Sequence, residues 1–294
     1  MHQNYQVLLF YKYVTIKDPE ALAARVRALM QKYALMGRVL VAEEGINATV
    51  EGVREATEEF LKELFEDARL ADIRVKRSVG TGKSFKRLSV KVRNEIVGTK
   101  YDPKEVDPRV KTAPRLSPRE LRSWYEEQKD FVVVDMRNDY EFVSGHFKDS
   151  INPKIEVSRD LPNAVAELEP LKNKTVVTVC TGGIRCEKMS ALLQTKGFAN
   201  VYQLEDGIHS YMEKYPGKDF LGTLYTFDKR LTMHFGGDRE IIGTCRICSA
   251  KTEEYANCAN NSCHRHYLLC ADCREAGRLA CSSECERVTK SELV

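Results

Sequence analysis

Apolar positions recur three and four residues apart over residues 19–36, at Leu22, Val26, Leu29, Met30 and Tyr33 with Ala23 alongside, and this period predicts an amphipathic helix. Residues 5–14 ahead of it are rich in β-formers, and 38–42 and 47–51 read as the two strands of a hairpin around Glu43-Glu44-Gly45. A second amphipathic helix is expected over 53–70, through Ala56, Phe60, Leu61 and Leu64, with strands following at 73–77 and 88–92. Strand, helix, strand, strand, helix, strand is the order of a ferredoxin-like α+β sandwich. Such an order implies a fold and no chemistry.

Residues 101–115 hold Pro103, Pro108 and Pro114 among charges, which predicts an extended linker with little capacity for a core. Ser117-Pro118-Arg119-Glu120 then places a capping serine, a proline in the first turn and a glutamate three residues on, starting a helix that runs to about residue 128. A short buried strand at 131–135, an apolar segment at 175–179, a helix at 187–196 and a strand at 201–203 alternate as a parallel sheet covered on both faces requires. The chain is therefore expected to be a multidomain protein of α+β and α/β type. The expected limits are a ferredoxin-like domain at 1–100, a linker at 101–116, a parallel-sheet domain at 117–230 and a cysteine-rich module at 231–294.

A length of 294 residues allows two or three domains. No run approaches the 18 apolar residues of a membrane span, and the first residues lack a basic leader, so a cytoplasmic protein is expected. The net charge of +3 decides nothing about partners, but its distribution does. Between residues 74 and 100 the bases are Arg74, Lys76, Arg77, Lys83, Lys86, Arg87, Lys91, Arg93 and Lys100, against Glu95 as the one acid. With Gly80, Gly82 and Phe85 in the same stretch, this arm suits the phosphates and bases of a nucleic acid; Lys76, Arg77, Lys83, Lys86, Arg87, Lys91 and Arg93 are its candidate contacts.

The candidate chemistry lies at Cys180-Thr181-Gly182-Gly183-Ile184-Arg185, between the apolar segment and the next helix. Two glycines let the backbone curl so that amides point inward, and the helix start adds the positive end of its dipole. Such a cradle, with Arg185 beside it, favours a thiolate and makes Cys180 a candidate nucleophile. Cys186 could attack a persulfide or sulfenate on Cys180 and resolve it as a disulfide, or could simply be a small packing residue.

Asp135-x-Arg137, Glu141-Phe142, and Gly145-His146 followed by Ser150-Ile151-Asn152-Pro153 resemble the first signature of rhodanese domains, and Cys180 to Arg185 resembles their active-site loop. Within that resemblance Asp135, Arg137, Glu141 and His146 would support the loop. Cysteine phosphatases separate nucleophile and arginine by five residues; four intervene here, and this shorter cradle resembles those that carry a cysteine persulfide.

Eight of the ten cysteines fall after residue 244, as Cys245-x2-Cys248, Cys258-x4-Cys263, Cys270-x2-Cys273 and Cys281-x3-Cys285. Eight paired thiolates satisfy about two tetrahedral zinc ions in a structural role, with the pairing order and the part of His264 and His266 left open. Disulfides are the competing account, disfavoured by a reducing cytosol. No dinucleotide fingerprint is present, so neither flavin nor nicotinamide is expected, and no His-x-Asp or His-x-Glu pair begins a facial iron site.

The ferredoxin-like start with Glu43-Glu44-Gly45-Ile46-Asn47-Ala48-Thr49, the loop from Cys180 to Lys188, the segment Phe227-Asp228-Lys229-Arg230 and the cysteine tail together resemble the tRNA uridine hydroxylase family. One departure is Phe220, where a tryptophan is expected. The resemblance implies oxygen-dependent 5-hydroxylation of the wobble uridine, position 34 of tRNA, with molecular oxygen as co-substrate and Cys180 as the essential thiol. A sulfurtransferase working through a Cys180 persulfide and a binding module without catalysis are the rival classes.

Overall fold

The computed structural model describes residues 4–101, 105–236 and 239–291; Pro103 and the outermost residues of the expected first and last domains lie outside these. The first unit runs β1 (Tyr5–Tyr13), α1 (Pro19–Lys32), β2 (Met36–Ala42), β3 (Gly45–Val53), α2 (Arg54–Leu64), β4 (Lys76–Val79) and β5 (Leu88–Val92). Its sheet has the order β4-β1-β3-β2-β5, antiparallel throughout except for β5, which adds in parallel to the outer edge of β2. The ferredoxin-like arrangement is thus present, with one strand more. The second helix stops at Leu64, short of the expected residue 70, because Asp67 turns the chain: its carboxylate accepts from the Arg69 amide and its carbonyl from Leu70.

Strand alternation gives this sheet two different faces. Leu8, Phe10, Val39, Val41, Ile46, Ala48 and Val50 join Val26, Met30, Phe60 and Leu64 in the core beneath the helices. Each of these side chains larger than Ala48 contributes about 1.5–3 kcal/mol by leaving water. Their neighbours Leu9, Tyr11, Arg38, Leu40, Asn47 and Thr49 point the other way, toward the second unit.

That unit runs β6 (Arg115–Leu116), α3 (Pro118–Glu126), β7 (Val132–Asp135), α4 (Asp139–Phe142), β8 (Gly145–Phe147), α5 (Leu161–Leu168), β9 (Thr175–Val179), α6 (Ile184–Thr195), β10 (Asn200–Leu204) and α7 (Gly207–Lys214). Its sheet has the order β6-β10-β9-β7, every pair parallel. Separate apolar clusters fill the two faces, one around Leu161, Met189 and Leu193, the other around Leu121, Ile208 and Tyr211. The capping box of Ser117 and Glu120 is formed as expected.

The segment expected to be a bare linker does more. Val106 and Ala113 are buried in the first of these clusters, and β6 extends the sheet. Its prolines preclude a helix but not an extended strap that inserts single side chains into a neighbouring core.

The remaining chain adds β11 (Phe220–Gly222), paired with β8; β12 (Leu224–Tyr225) with β13 (Thr232–Met233); β14 (Tyr255–Asn257) with β15 (His266–Leu268); and the helices α8 (Ala271–Glu275) and α9 (Ser283–Ser291). Its core is largely cysteine. Among the described residues no helix is long and apolar enough to cross a membrane.

Candidate active site

β9 delivers Cys180 to the carboxyl end of the sheet, and the loop behind it closes on itself, with the Gly183 amide donating to the Cys180 Sγ at 3.2 Å. Gly183 sits at φ +101°, a left-handed conformation that costs glycine little. From there α6 begins three residues earlier than expected, since the amides of Cys186 and Glu187 already donate to the Gly183 carbonyl. α7 braces the outside of the loop: the amides of Ile208 and His209 donate to the carbonyls of Cys180 and Thr181. A Cβ on Gly207 would stand 2.5 Å from the Cys180 carbonyl oxygen, so only glycine permits this approach.

Arg185 is buried and forms a forked pair with Glu141, Nη1 to Oε1 at 2.5 Å and Nη2 to Oε2 at 3.0 Å. Thr181 also donates to Glu141, at 3.3 Å. Of the four expected supporting residues, Glu141 is therefore the one recorded in contact with the loop. Arg137 and Asp135 hold each other, fully buried, and Arg137 also donates to the Gly145 carbonyl. His146 stacks on Phe142 with 4.0 Å between ring centres, and its Nδ1 meets the Phe142 carbonyl oxygen. These three maintain β7 and β8, at one remove from the thiol.

Burial opposes a charge on Cys180, but a hydrogen bond from Cys186, the Arg185 guanidinium and the amides of Cys186 and Arg185 outweigh it and bring the thiol down to about 6. Cys186 moves the other way, raised by burial and by its bond to Cys180. The loop thus pushes the two thiols in opposite directions.

A cavity of about 330 Å³ opens at Cys180. One wall is the outward face of the first sheet: Val7, Leu9, Tyr11, Arg38, Leu40, Asn47 and Thr49. Opposite stand Cys180, Thr181, Gly182, Ile184, Arg185 and His209, and Thr226, Phe227, Asp228, Arg230 and Met233 close the side. Burial pushes His209 down to about 3, with Lys76 and Arg230 adding to the effect, so it is neutral. The units are clamped by Tyr11 Oη to Glu187 at 3.1 Å and by Lys188, which reaches Glu44 at 2.9 Å and Glu95 at 2.8 Å.

A second groove, of about 450 Å³, shares Arg38, Leu40 and Phe227 with the cavity and carries Phe85, Lys86, Arg87, Lys91 and Arg93. Four of the seven expected nucleic-acid contacts thus line a groove that adjoins the thiol cavity. Lys83 is exposed but outside this groove. Two already have carboxylate partners. Lys76 is 5% exposed and pairs with Asp206 at 2.9 Å, and Arg77 is held by both carboxylate oxygens of Glu58 at 2.9 Å. The Lys76 charge is spent inside the protein, whereas Arg77 makes its pair at the surface. Sequence reading missed Arg38, Tyr11, Asn47 and His209 as cavity residues; the outward phase of β1, β2 and β3 was the available signal for the first three.

The tail cysteines form two sets, Cys245, Cys248, Cys270 and Cys273, and Cys258, Cys263, Cys281 and Cys285, with the sulfurs of each set within 4.8 Å of one another. Pairs one and three are thus joined, and two and four, in a crossed arrangement. Recorded separations are 3.6 Å for Cys248–Cys270, 3.6 Å for Cys263–Cys281 and 3.8 Å for Cys281–Cys285. A tetrahedron with Zn–S bonds of about 2.3 Å has edges of about 3.8 Å, so both sets fit such an ion. No disulfide is formed, and neither His264 nor His266 belongs to either set.

Comparison with known proteins gives three successive domain matches: a UPF0176 acylphosphatase-like domain at residues 5–96, a rhodanese-like domain at 117–214 and a rhodanase C-terminal domain at 221–286. A protein of Cytophaga hutchinsonii is 38% identical over 285 residues, covering 97% of this chain and 90% of its own, and is named tRNA uridine(34) hydroxylase. The chain belongs to this family. Family members of the same name from Staphylococcus haemolyticus and Staphylococcus aureus are 39% and 41% identical over 295 and 296 residues, each spanning 99% of this chain and 92% of the relative. The three family domains are the ones whose surfaces meet around Cys180: the first supplies the sheet wall, the second the thiol loop, and the third the side wall at residues 226–233.

Proposed function

We propose that this protein hydroxylates C5 of the wobble uridine, position 34, of tRNA, using molecular oxygen, with Cys180 as the reactive thiol and Arg185 and the loop amides stabilising its anion. The observation that carries this reading is the continuity of the thiol cavity with the basic groove through Arg38, Leu40 and Phe227. Phosphates lying along Lys86, Arg87, Lys91 and Arg93 would leave a flipped base facing the cavity. Exposed Phe227 offers a stacking surface at the junction and is backed by the Arg185 guanidinium at 5.6 Å from its ring centre.

In this reading residues 1–100 present the tRNA-facing sheet, 101–116 strap it to the catalytic unit at 117–230, and 231–294 form the metal-holding tail. Two zinc ions in the cysteine sets would be structural, since four thiolates each leave no position open for substrate. The protein would work in the cytoplasm, on tRNA. A sulfurtransferase using a Cys180 persulfide is less well supported, because that chemistry needs neither the sheet wall nor the basic groove.

The test is nucleoside mass spectrometry of tRNA from a strain lacking the gene. Loss of 5-hydroxyuridine-derived nucleosides, restored by the wild-type gene and not by Cys180→Ala, is the expected result. Unchanged nucleosides in the deletion strain would rule the reading out.

A further inference from the structure

Hydroxylation by molecular oxygen places one oxygen atom in the substrate and must reduce the other to water, which takes two electrons beyond those the uracil itself provides. Resting on the hydroxylase reading above, we propose that Cys180 and Cys186 act as one dithiol that supplies those electrons, Cys180 meeting the uracil and oxygen from the front and Cys186 resolving it from behind.

The placement of the two sulfurs carries this. Both residues are 0% exposed, yet Cys180 lines the cavity and Cys186 is not among its lining residues. Cys186 lies in the first turn of α6, and Gly183 ties the two residues together: its amide donates to the Cys180 sulfur at 3.2 Å and its carbonyl accepts from the Cys186 amide at 3.0 Å, both cysteines standing in one buried apolar cluster. The front sulfur is held down, to about 6, and the rear one is pushed up, the order that a nucleophile and its resolving thiol require.

The steps balance. The Cys180 thiolate adds to C6 of the uracil, forming an S–C6 bond and pushing the electron pair of the C5=C6 double bond onto C5 as an enolate. C5 donates to oxygen, forming a C5–O bond; loss of the C5 proton to the peroxide and expulsion of the Cys180 thiolate restore the double bond and leave a 5-hydroperoxide. The thiolate then attacks the distal oxygen, breaking O–O, so that the uracil keeps a 5-oxide that takes up a proton and Cys180 becomes a sulfenic acid. Cys186 attacks that sulfur through its own, forming the disulfide and releasing water. Uridine, oxygen and two thiols give 5-hydroxyuridine, a disulfide and water. A dithiol reductant of the cell returns the pair to its starting state.

Single turnover of the full-length protein tests this. Reduced protein, freed of reductant under anaerobic conditions and mixed with tRNA, is exposed to oxygen and quenched with an alkylating agent. The expected result is about one 5-hydroxyuridine per chain with loss of about 2 Da and a Cys180–Cys186 disulfide in the peptide map. Cys186→Ser is expected to complete the first turnover, to leave Cys180 as a sulfenic acid that a 1,3-dione probe captures, and to turn over with thiol reductant about tenfold more slowly. Product formed by the wild-type protein with both thiols still free would overturn the proposal, and that measurement needs no variant. So would full multiple turnover by both Cys186→Ser and Cys186→Ala with no trapped sulfenic acid. Absence of 5-hydroxyuridine from the wild-type protein even with reductant and oxygen present is a different outcome, which removes the hydroxylase reading and this proposal with it.

Discussion

Glu141 holds Arg185 by a forked pair in which the carboxylate is 0% and the guanidinium 5% exposed, so the cation of the thiol loop is itself countered by a carboxylate from α4. Removing one member of a buried pair strands the other, at a cost of about 3–5 kcal/mol. Glu141→Gln is expected to lower thermal stability by that order and, by freeing the field of Arg185, to shift the midpoint of Cys180 alkylation to lower pH. Arg185→Gln is expected to shift it upward, toward an ordinary thiol. Equal midpoints in the two variants would show that the pair does not govern the thiolate.

The pH dependence of Cys180 follows from its value of about 6. Alkylation and catalysis are expected to rise through this value and to level off above it. The folded state depresses this acid relative to the unfolded chain, so the resulting stabilisation is fully present above the unfolded thiol range and is lost as pH falls through about 6. Denaturant titrations at pH 6 and pH 9 should therefore show the wild type gaining on Cys180→Ser at the higher pH.

Charge removal from the groove is expected to act through phosphates. Arg87→Ala and Lys91→Ala should each weaken tRNA binding and reduce the slope of log affinity against log salt by about 0.7–0.9 per phosphate lost. Arg77→Ala, whose partner is Glu58, should leave that slope unchanged. Phe227→Ala should cost about 1–3 kcal/mol of binding, with Phe227→Tyr restoring most of it. Filter binding at several salt concentrations separates the three classes.

Metal analysis of the purified protein is expected to find about two zinc ions per chain, and a strong chelator should expose the tail thiols to alkylation. Activity should fall with them. Tyr255, on a strand between the two cysteine sets, donates to the Tyr140 carbonyl at 2.6 Å, and Tyr140 precedes the Glu141 that positions Arg185. A chelated protein that keeps full activity would show that the tail does not brace the site.

How much of this was legible in the sequence depends on the range over which each signal acts. The first sheet and its helices could be read because strand alternation and helical period are local, and the capping box at Ser117 is spelled out within four residues. The thiol loop was equally local. The partners of Lys76 and Arg77 could not be read because Asp206 and Glu58 are brought near only by folding. The buried strap at Val106 and Ala113 hides for the same reason: two apolar residues among prolines carry no period. Pairing of the cysteine sets could not be read because crossed and sequential schemes share one spacing.

The cavity around Cys180 takes a wall from each of three family domains, at residues 7–49, 180–209 and 226–233. No single one of them owns it. A gene cut between the first and second domains would yield a fragment that still bears an activated sulfur yet has lost the chamber that decides what reaches it. Exchanging any one of the three domains with that of a relative would therefore be tested first at the shared wall.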